Sequence, residues 1–351
     1  PGKTTMENTR VKIGLDADGA IASLIAKSQA DVELAATIDG LKLNDLAANK
    51  THGDPIVVEN AGPVSATLKC VSGAGLPHTT RFTLVRDSDR VEIRNEITQN
   101  FADVRHWSFS FNLDTSDVHT EEIGAIIRVK KKSEGGHYAD SHARYDYATL
   151  NHFAHITNGT NTLGVTLANA DCGFFRLGCS TPTELDTVTP QINVLAGGQV
   201  DGPRLGIPRK NGTDRFLHRF ALYPHAAYDP VAAMKFALEH QNRFVTGPVT
   251  GNPASRYPSD SYSLLTVDKP GVLLWALKPH EDGIAKGVIA RVWNVSDTAA
   301  NCTLSLTPEL AAAASATHIE TDQERLPVVA NTITVSPARC QLQTLRLALS
   351  P

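Results

Sequence analysis

The chain has 351 residues, too long for one ordinary domain but suited to one large β unit or two units of common size. With 41% hydrophobic and 20% charged residues, 25 Gly and 19 Pro, it is globular and turn-rich, which excludes a disordered, collagen-like or coiled-coil chain. Lys and Arg number 33 against 37 Asp and Glu, a net charge of -4. No basic excess draws nucleic acid, and no apolar run of about 18 residues supplies a membrane-spanning helix.

The opening Pro1-Gly2-Lys3-Thr4-Thr5 has no apolar signal core, and cytoplasmic, periplasmic and secreted locations are not separable from it. Residues 11–15 alternate, Asp16-Ala17-Asp18-Gly19 makes a turn, and 21–25 resume an apolar run, a hairpin signature. Asp16-x-Asp18-Gly19 lacks the further ligands of a calcium loop and reads as a turn. Strand patterning follows at 56–58, 64–71, 80–85 and 90–98, and then at 107–111, where aromatics alternate with serines. It continues at 126–132, 163–167, 192–195 and 217–223 without a strand-helix-strand rhythm, which argues against parallel α/β folds. One helix is expected near 230–241, capped by Asp229 with Pro230 at its first position and a stripe of Val231, Met234, Phe236, Ala237 and Leu238. The breaker-rich stretch 246–253 reads as a linker. Beyond it, 263–267, 272–277, 288–293, 302–306, 333–335 and 343–349 return to β patterning. The expected fold is all-β and mainly antiparallel: a large β sandwich over 1–245, then a smaller C-terminal β domain over 255–351.

The five cysteines, Cys70, Cys172, Cys179, Cys302 and Cys340, are odd in number and scattered, which suggests buried free thiols and no disulfide framework. Sequons begin at Asn49, Asn158, Asn211, Asn294 and Asn301 and matter only in a eukaryotic secretory setting.

The segment 135–155 holds the most unusual chemistry. Read as a strand, it projects Tyr138, Asp140, His142, Arg144 and Asp146 from one face. Carboxylates and a guanidinium orient sugar hydroxyls, and rings stack on sugar C–H faces; the alternative is an ordinary solvated face with local ion pairs. The pairs His137/Asp140 and His152/His155 are three apart, a spacing that separates them on a strand, so a metal site is not expected from them. Tyr223-Pro224-His225 before Tyr228-Asp229-Pro230 either lines a cleft, through His225 and Tyr228, or only steers the chain into its helix. No GxSxG, GxGxxG, GxxxxGK[ST] or HExxH motif occurs, and no carboxylate pair can be singled out for glycosidase work.

Leu277-Lys278-Pro279-His280-Glu281-Asp282 followed by Arg291-Val292-Trp293-Asn294 resembles the C-terminal half of the glycoside hydrolase family 38 α-mannosidases, with Trp293 in place of a Tyr. Glu7-Asn8 through Leu24 is similar to the family's opening hairpin, and Arg219 to His225 to its strand before the helix. Ala143-Arg144-Tyr145 and His152-Phe153-Ala154-His155-Ile156-Thr157 echo family elements in which Phe153 stands for Trp and His155 for Asp. Ile319 to Glu324 and Leu342 to Leu347 have the look of its closing strands.

The resemblance implies a galactose-mutarotase-like β supersandwich with additional β structure after it. Members of the family cleave α-mannosides with retention, using an aspartate nucleophile and a zinc ion held by His and Asp. Those groups sit in an N-terminal barrel and a helical domain with a His-His-Asp motif, and the chain has neither. The resemblance thus implies no catalytic residue and no cofactor in this chain, with zinc expected in the missing catalytic domain. Its implied partners are that barrel, as domain or subunit, and a carbohydrate, a mannoside or related glycan. Tyr138, Asp140, His142, Arg144 and His225 are the candidate substrate-binding residues, and the chain alone is expected to be inactive. Two other readings stay open: a free-standing sugar epimerase or polysaccharide lyase using Tyr138, His142 and Arg144 in one deep cleft, and a non-catalytic carbohydrate-binding module.

Overall fold

The computed structural model describes residues 2, 4–46, 56–73, 75–197, 215–248 and 261–350. Asn49, Asn211 and the 249–253 part of the expected linker lie outside them. The chain divides into two compact units, Pro1–Arg243 and Phe244–Pro351. Every strand-to-strand ladder among the described residues is antiparallel, and the all-β expectation holds.

The first unit is built on a nine-stranded sheet. From one edge to the other it runs Ala125–Arg128, Asp117–Glu122, Phe153–Thr157, Gly164–Asn169, Phe216–His225, Val91–Ile97, His78–Val85, Ser65–Ser72 and Ile56–Ala61. A four-stranded sheet of Ala148–Thr149, Phe174–Leu177, Gln191–Gly197 and Arg105–Ser110 lies against it. The sequence of Val91–Ile97 shows why the sandwich closes. Val91, Ile93, Asn95 and Ile97 are buried, while Glu92, Arg94 and Glu96 face the other way. Trp107, Phe109 and Val194 from the small sheet meet Phe82, Ile156, Val165 and Phe220 from the large one in a single core. Phe109 and Phe220 are both fully buried and meet edge to face at 5.3 Å. A third sheet, Thr5–Glu7, Val11–Leu15, Ile21–Ala26 and Val32–Glu33, contributes Val11, Ile13, Ile21 and Leu24 to the same core.

The one α-helix among the described residues, Pro230–Gln241, lies on the face of the large sheet opposite the core. The Asp229 carboxylate accepts from the Val231 and Ala232 amides at 2.8 and 3.2 Å, and Pro230 occupies the first turn, where no amide is needed. Its buried residues are Ala233, Met234, Phe236, Ala237 and His240, so the buried stripe is rotated from the expected one, and Val231 and Leu238 sit at its margin. His240 turns inward because Glu92 meets its Nδ1 at 3.1 Å.

The second unit packs a three-stranded sheet, Leu265–Val267, Cys302–Leu306 and Thr332–Val335, with a five-stranded one. The latter runs Val272–Pro279, Val288–Asn294, Leu342–Leu349, Leu310–Ala316 and Asp322–Leu326. Leu304, Ala290, Val292, Ile333, Leu345 and Leu347 form its core. All five cysteines are free; Cys70, Cys172 and Cys302 are buried as expected, but Cys179 and Cys340 are exposed.

Candidate functional site

The stretch 135–147 is a compact loop and not the strand read from its alternation, which corrects that expectation. Gly135 takes φ 80°, a Cβ on Gly136 would overlap the Lys130 carbonyl, and His142 adopts φ 60°, so the chain turns where a strand would run straight. Tyr145 Oη donates to the Ala139 carbonyl at 2.7 Å, and the Lys131 ammonium sits 5.1 Å from the Tyr145 ring centroid. The Tyr138 ring packs partly buried against the core, and burial pushes its phenol up to about 12. Asp140 accepts from the Ser133 amide at 3.0 Å and from its hydroxyl, while His142 stands exposed.

The loop ends in a hydrogen-bonded group. Arg144 pairs with Asp146 through two bonds, Nε to Oδ1 at 2.7 Å and Nη2 to Oδ2 at 2.8 Å. The next residue, Tyr147, meets His106 Nε2 through its hydroxyl at 2.9 Å, the two rings stacked at 5.9 Å. Ala148 lies opposite Phe175, so Tyr147 projects from the same face as Arg176. Burial, with the charge of Arg176 adding to it, pushes the His106 imidazole down to about 4, so it is neutral at ordinary pH. Burial also raises the Tyr147 phenol. Thus Arg144 joins a constellation of Asp146, Tyr147, His106 and Arg176. Tyr138, Asp140 and His142 keep other partners or face solvent. The epimerase or lyase reading needed Tyr138, His142 and Arg144 in one deep cleft; Tyr138 packs against the core while His142 and Arg144 are exposed, so that reading loses its active site.

His225 belongs to a different place, beside the helix. Its Nε2 lies 3.1 Å from both Thr166 Oγ1 and His155 Nδ1, and its ring stacks on that of the fully buried His155 at 4.5 Å. Tyr228 stacks on His119 at 4.3 Å and lies 4.5 Å from His155. His152 is engaged separately, with its Nδ1 at 2.7 Å from Glu121 Oε2, and His137 Nδ1 accepts from the Arg128 amide. Among the described residues no three His, Cys, Asp or Glu side chains converge as metal ligands.

His106, Arg176 and His119 were not singled out from sequence. For His106 a signal existed: burial of Trp107 and Phe109 on an alternating strand sends His106 to the opposite face. For His119 there was none, because only the ladder brings it opposite His155.

In the second unit, Lys278 and Arg291 converge on Glu320, at 2.6 and 3.2 Å from its Oε1, and the Glu281 amide donates to Oε2. The bond from Lys278 holds the Glu320 carboxyl below the usual range.

Residues 271–345, which contain this cluster, match the glycosyl hydrolases family 38 C-terminal beta sandwich domain. The fold of the chain is similar to an α-mannosidase from Enterococcus faecalis, at 13% identity and TM-score 0.68 over 99% of this chain and 42% of that one. It is also similar to a glycosyl hydrolase family 38 protein from Enterococcus faecalis, at 12% identity and TM-score 0.67 over 99% of this chain and 44% of that one. The chain therefore spans less than half the length of the solved structures it matches. No curated protein sequence matches it. The family 38 match is thus confined to residues 271–345 of the second unit, and the likeness of the rest of the chain to these proteins is one of fold.

Proposed function

We propose that the chain serves as the C-terminal β portion of an α-mannosidase-like retaining glycoside hydrolase, acting in carbohydrate metabolism on a mannoside or related glycan. The observation that carries this reading is the family 38 match over residues 271–345. On this reading the chain supports and rims a cleft, while the aspartate nucleophile and the zinc belong to an N-terminal barrel, as domain or subunit. Its own side chains would bind and orient sugar hydroxyls, with the Arg144–Asp146 pair as fixed donor and acceptor. Holding a substrate in register is a real share of catalysis, because positioning lowers the entropic part of the barrier.

The test is hydrolysis of 4-nitrophenyl α-mannoside by the purified chain, with and without added zinc, and again with a family 38 catalytic barrel. No turnover is expected from the chain alone, and turnover is expected with the barrel. Robust metal-dependent turnover by the 351-residue chain alone overturns the proposal.

A further inference from the structure

One face of the small sheet in the first unit carries a positive charge that no carboxylate of the described residues neutralises. The register sets Ala148 opposite Phe175, Phe175 opposite Val194 and Val194 opposite Trp107, and these four turn inward. Tyr147, Phe174, Arg176 and His106 alternate with them and project from the other face. Arg176 makes no ion pair among the described residues, and its Nε is buried without a hydrogen-bond partner. Acidic groups of the adjoining segments have partners of their own, and Asp39 faces the Cys179 thiol at 3.7 Å. Asp146 is held by both arms of Arg144, and Asp186 accepts from the amides of Cys179, Val188 and Thr189. A guanidinium offers a planar fork of donors that fits a carboxylate or a phosphate. Next to it stand the hydrogen-bonded Tyr147–His106 pair and the Phe174 ring, which is 49% exposed.

We propose that this face binds an anionic sugar, with its acid group on the Arg176 fork, its hydroxyls on Tyr147 and His106, and its C–H face against Phe174. A uronic acid and a sugar phosphate both present the required chemistry, since either anion accepts charge-assisted bonds from the fork. A neutral hexose offers nothing to Arg176. The site rests on this face alone and holds whether or not the chain works beside a mannosidase barrel.

Isothermal titration of the whole chain with D-glucuronate, D-glucose 6-phosphate, D-glucose and inorganic phosphate tests it. At least one anionic sugar is expected to bind roughly tenfold or more tightly than D-glucose, the scale of one charge-assisted bond. Binding of glucuronate alone identifies a carboxylated sugar, and binding of the phosphate ester alone identifies a sugar phosphate. Arg176→Gln should weaken the favoured sugar by roughly tenfold or more. Arg176→Lys, which keeps the charge without the fork, should recover part of the loss. Arg94→Gln, on the large sheet, should bind as the parent does, and Trp107 fluorescence reports folding of each variant. The proposal fails if neither anionic sugar binds at millimolar concentration or if D-glucose binds as tightly. It fails equally if inorganic phosphate binds as tightly as the favoured anionic sugar, or if folded Arg176→Gln binds that sugar unchanged.

Discussion

His119 and His155 stand opposite one another on neighbouring antiparallel strands, and the Tyr228 ring lies against both, at 4.3 and 4.5 Å. With His225 they form a group of rings in which His119 Nδ1, His155 Nε2 and Tyr228 Oη are buried without hydrogen-bond partners among the described residues. Burial lowers the pKa of all three imidazoles, His119 to about 4 and His155 well below the ordinary 6.5. Asp117 favours a proton on His119 while Arg128, His137 and Lys130 oppose it, and Asp229 favours one on His225. Below the ordinary imidazole pKa the unfolded chain takes up protons that the folded one refuses, so stability is full above it and lost as pH falls through it. Each histidine contributes a slope of at most about 1.4 kcal/mol per pH unit. Urea midpoints of the first unit should drop between neutral pH and about pH 5, and His155→Phe should flatten that decline. A flat pH profile in the parent excludes this account.

Much of the fold was readable in the sequence because burial and backbone period agree. Val91–Ile97 and Cys302–Leu306 alternate β-branched or apolar residues with polar ones, and the ladders use that alternation. The pattern failed where the two parted. Leu310–Ala316 is largely alanine, a helix former, and is a strand only because Leu342–Leu349 and Asp322–Leu326 pair with it on either side. Phe153–Thr157 is buried at every position, since the helix covers one face and the core the other, so no alternation marks it. Conversely, 135–147 alternates without being a strand, because Gly135, Gly136 and His142 bend the backbone. The site suffered the same limits. Arg144 was visible as a residue type, but its neighbours His106 and Arg176 lie on strands whose pairing the sequence does not state.

The helix cap gives a second prediction. Asp229 satisfies two amides at the start of Pro230–Gln241. Asp229→Ala should cost about 1 kcal/mol, whereas Asp229→Asn, which keeps an acceptor oxygen, should cost less. Denaturant midpoints of the two variants provide the comparison, and an Asp229→Ala variant as stable as the parent would show that the cap contributes nothing.

The core contact between Phe109 and Phe220 gives a third. Each is fully buried, and truncation leaves a void that neither sheet can close. Phe220→Ala should destabilise the first unit by about 3–5 kcal/mol, and Phe220→Leu by less. Trp107 reports the transition, because its indole lies in the same core and donates to His218 Nδ1 at 3.0 Å.

Thiol labelling separates the cysteines. Cys340 and Cys179 are exposed, but burial together with the charges of Asp39 and Asp186 raises the Cys179 pKa. Since the thiolate is the reactive form, Cys340 should label faster than Cys179 in the native protein. Cys70, Cys172 and Cys302 should label only on unfolding. Native labelling of more than two thiols would contradict the burial.

Gly19 carries two constraints that a pair of substitutions can separate. It sits at φ 79° in the turn where the Asp16 carboxylate accepts the Asp18 and Ala20 amides, and a Cβ there would overlap Cys70 Sγ. Gly124 has nearly the same backbone, φ 85°, with open space around its missing Cβ. Gly124→Ala should therefore lose only the conformational term, about 1 kcal/mol. Gly19→Ala should lose that and a further 1–3 kcal/mol, roughly, from overpacking. Adding Cys70→Ala should restore part of the second loss while introducing a small void of its own. The double variant thus distinguishes steric overlap from backbone strain: if it is no more stable than Gly19→Ala, the backbone alone explains the glycine.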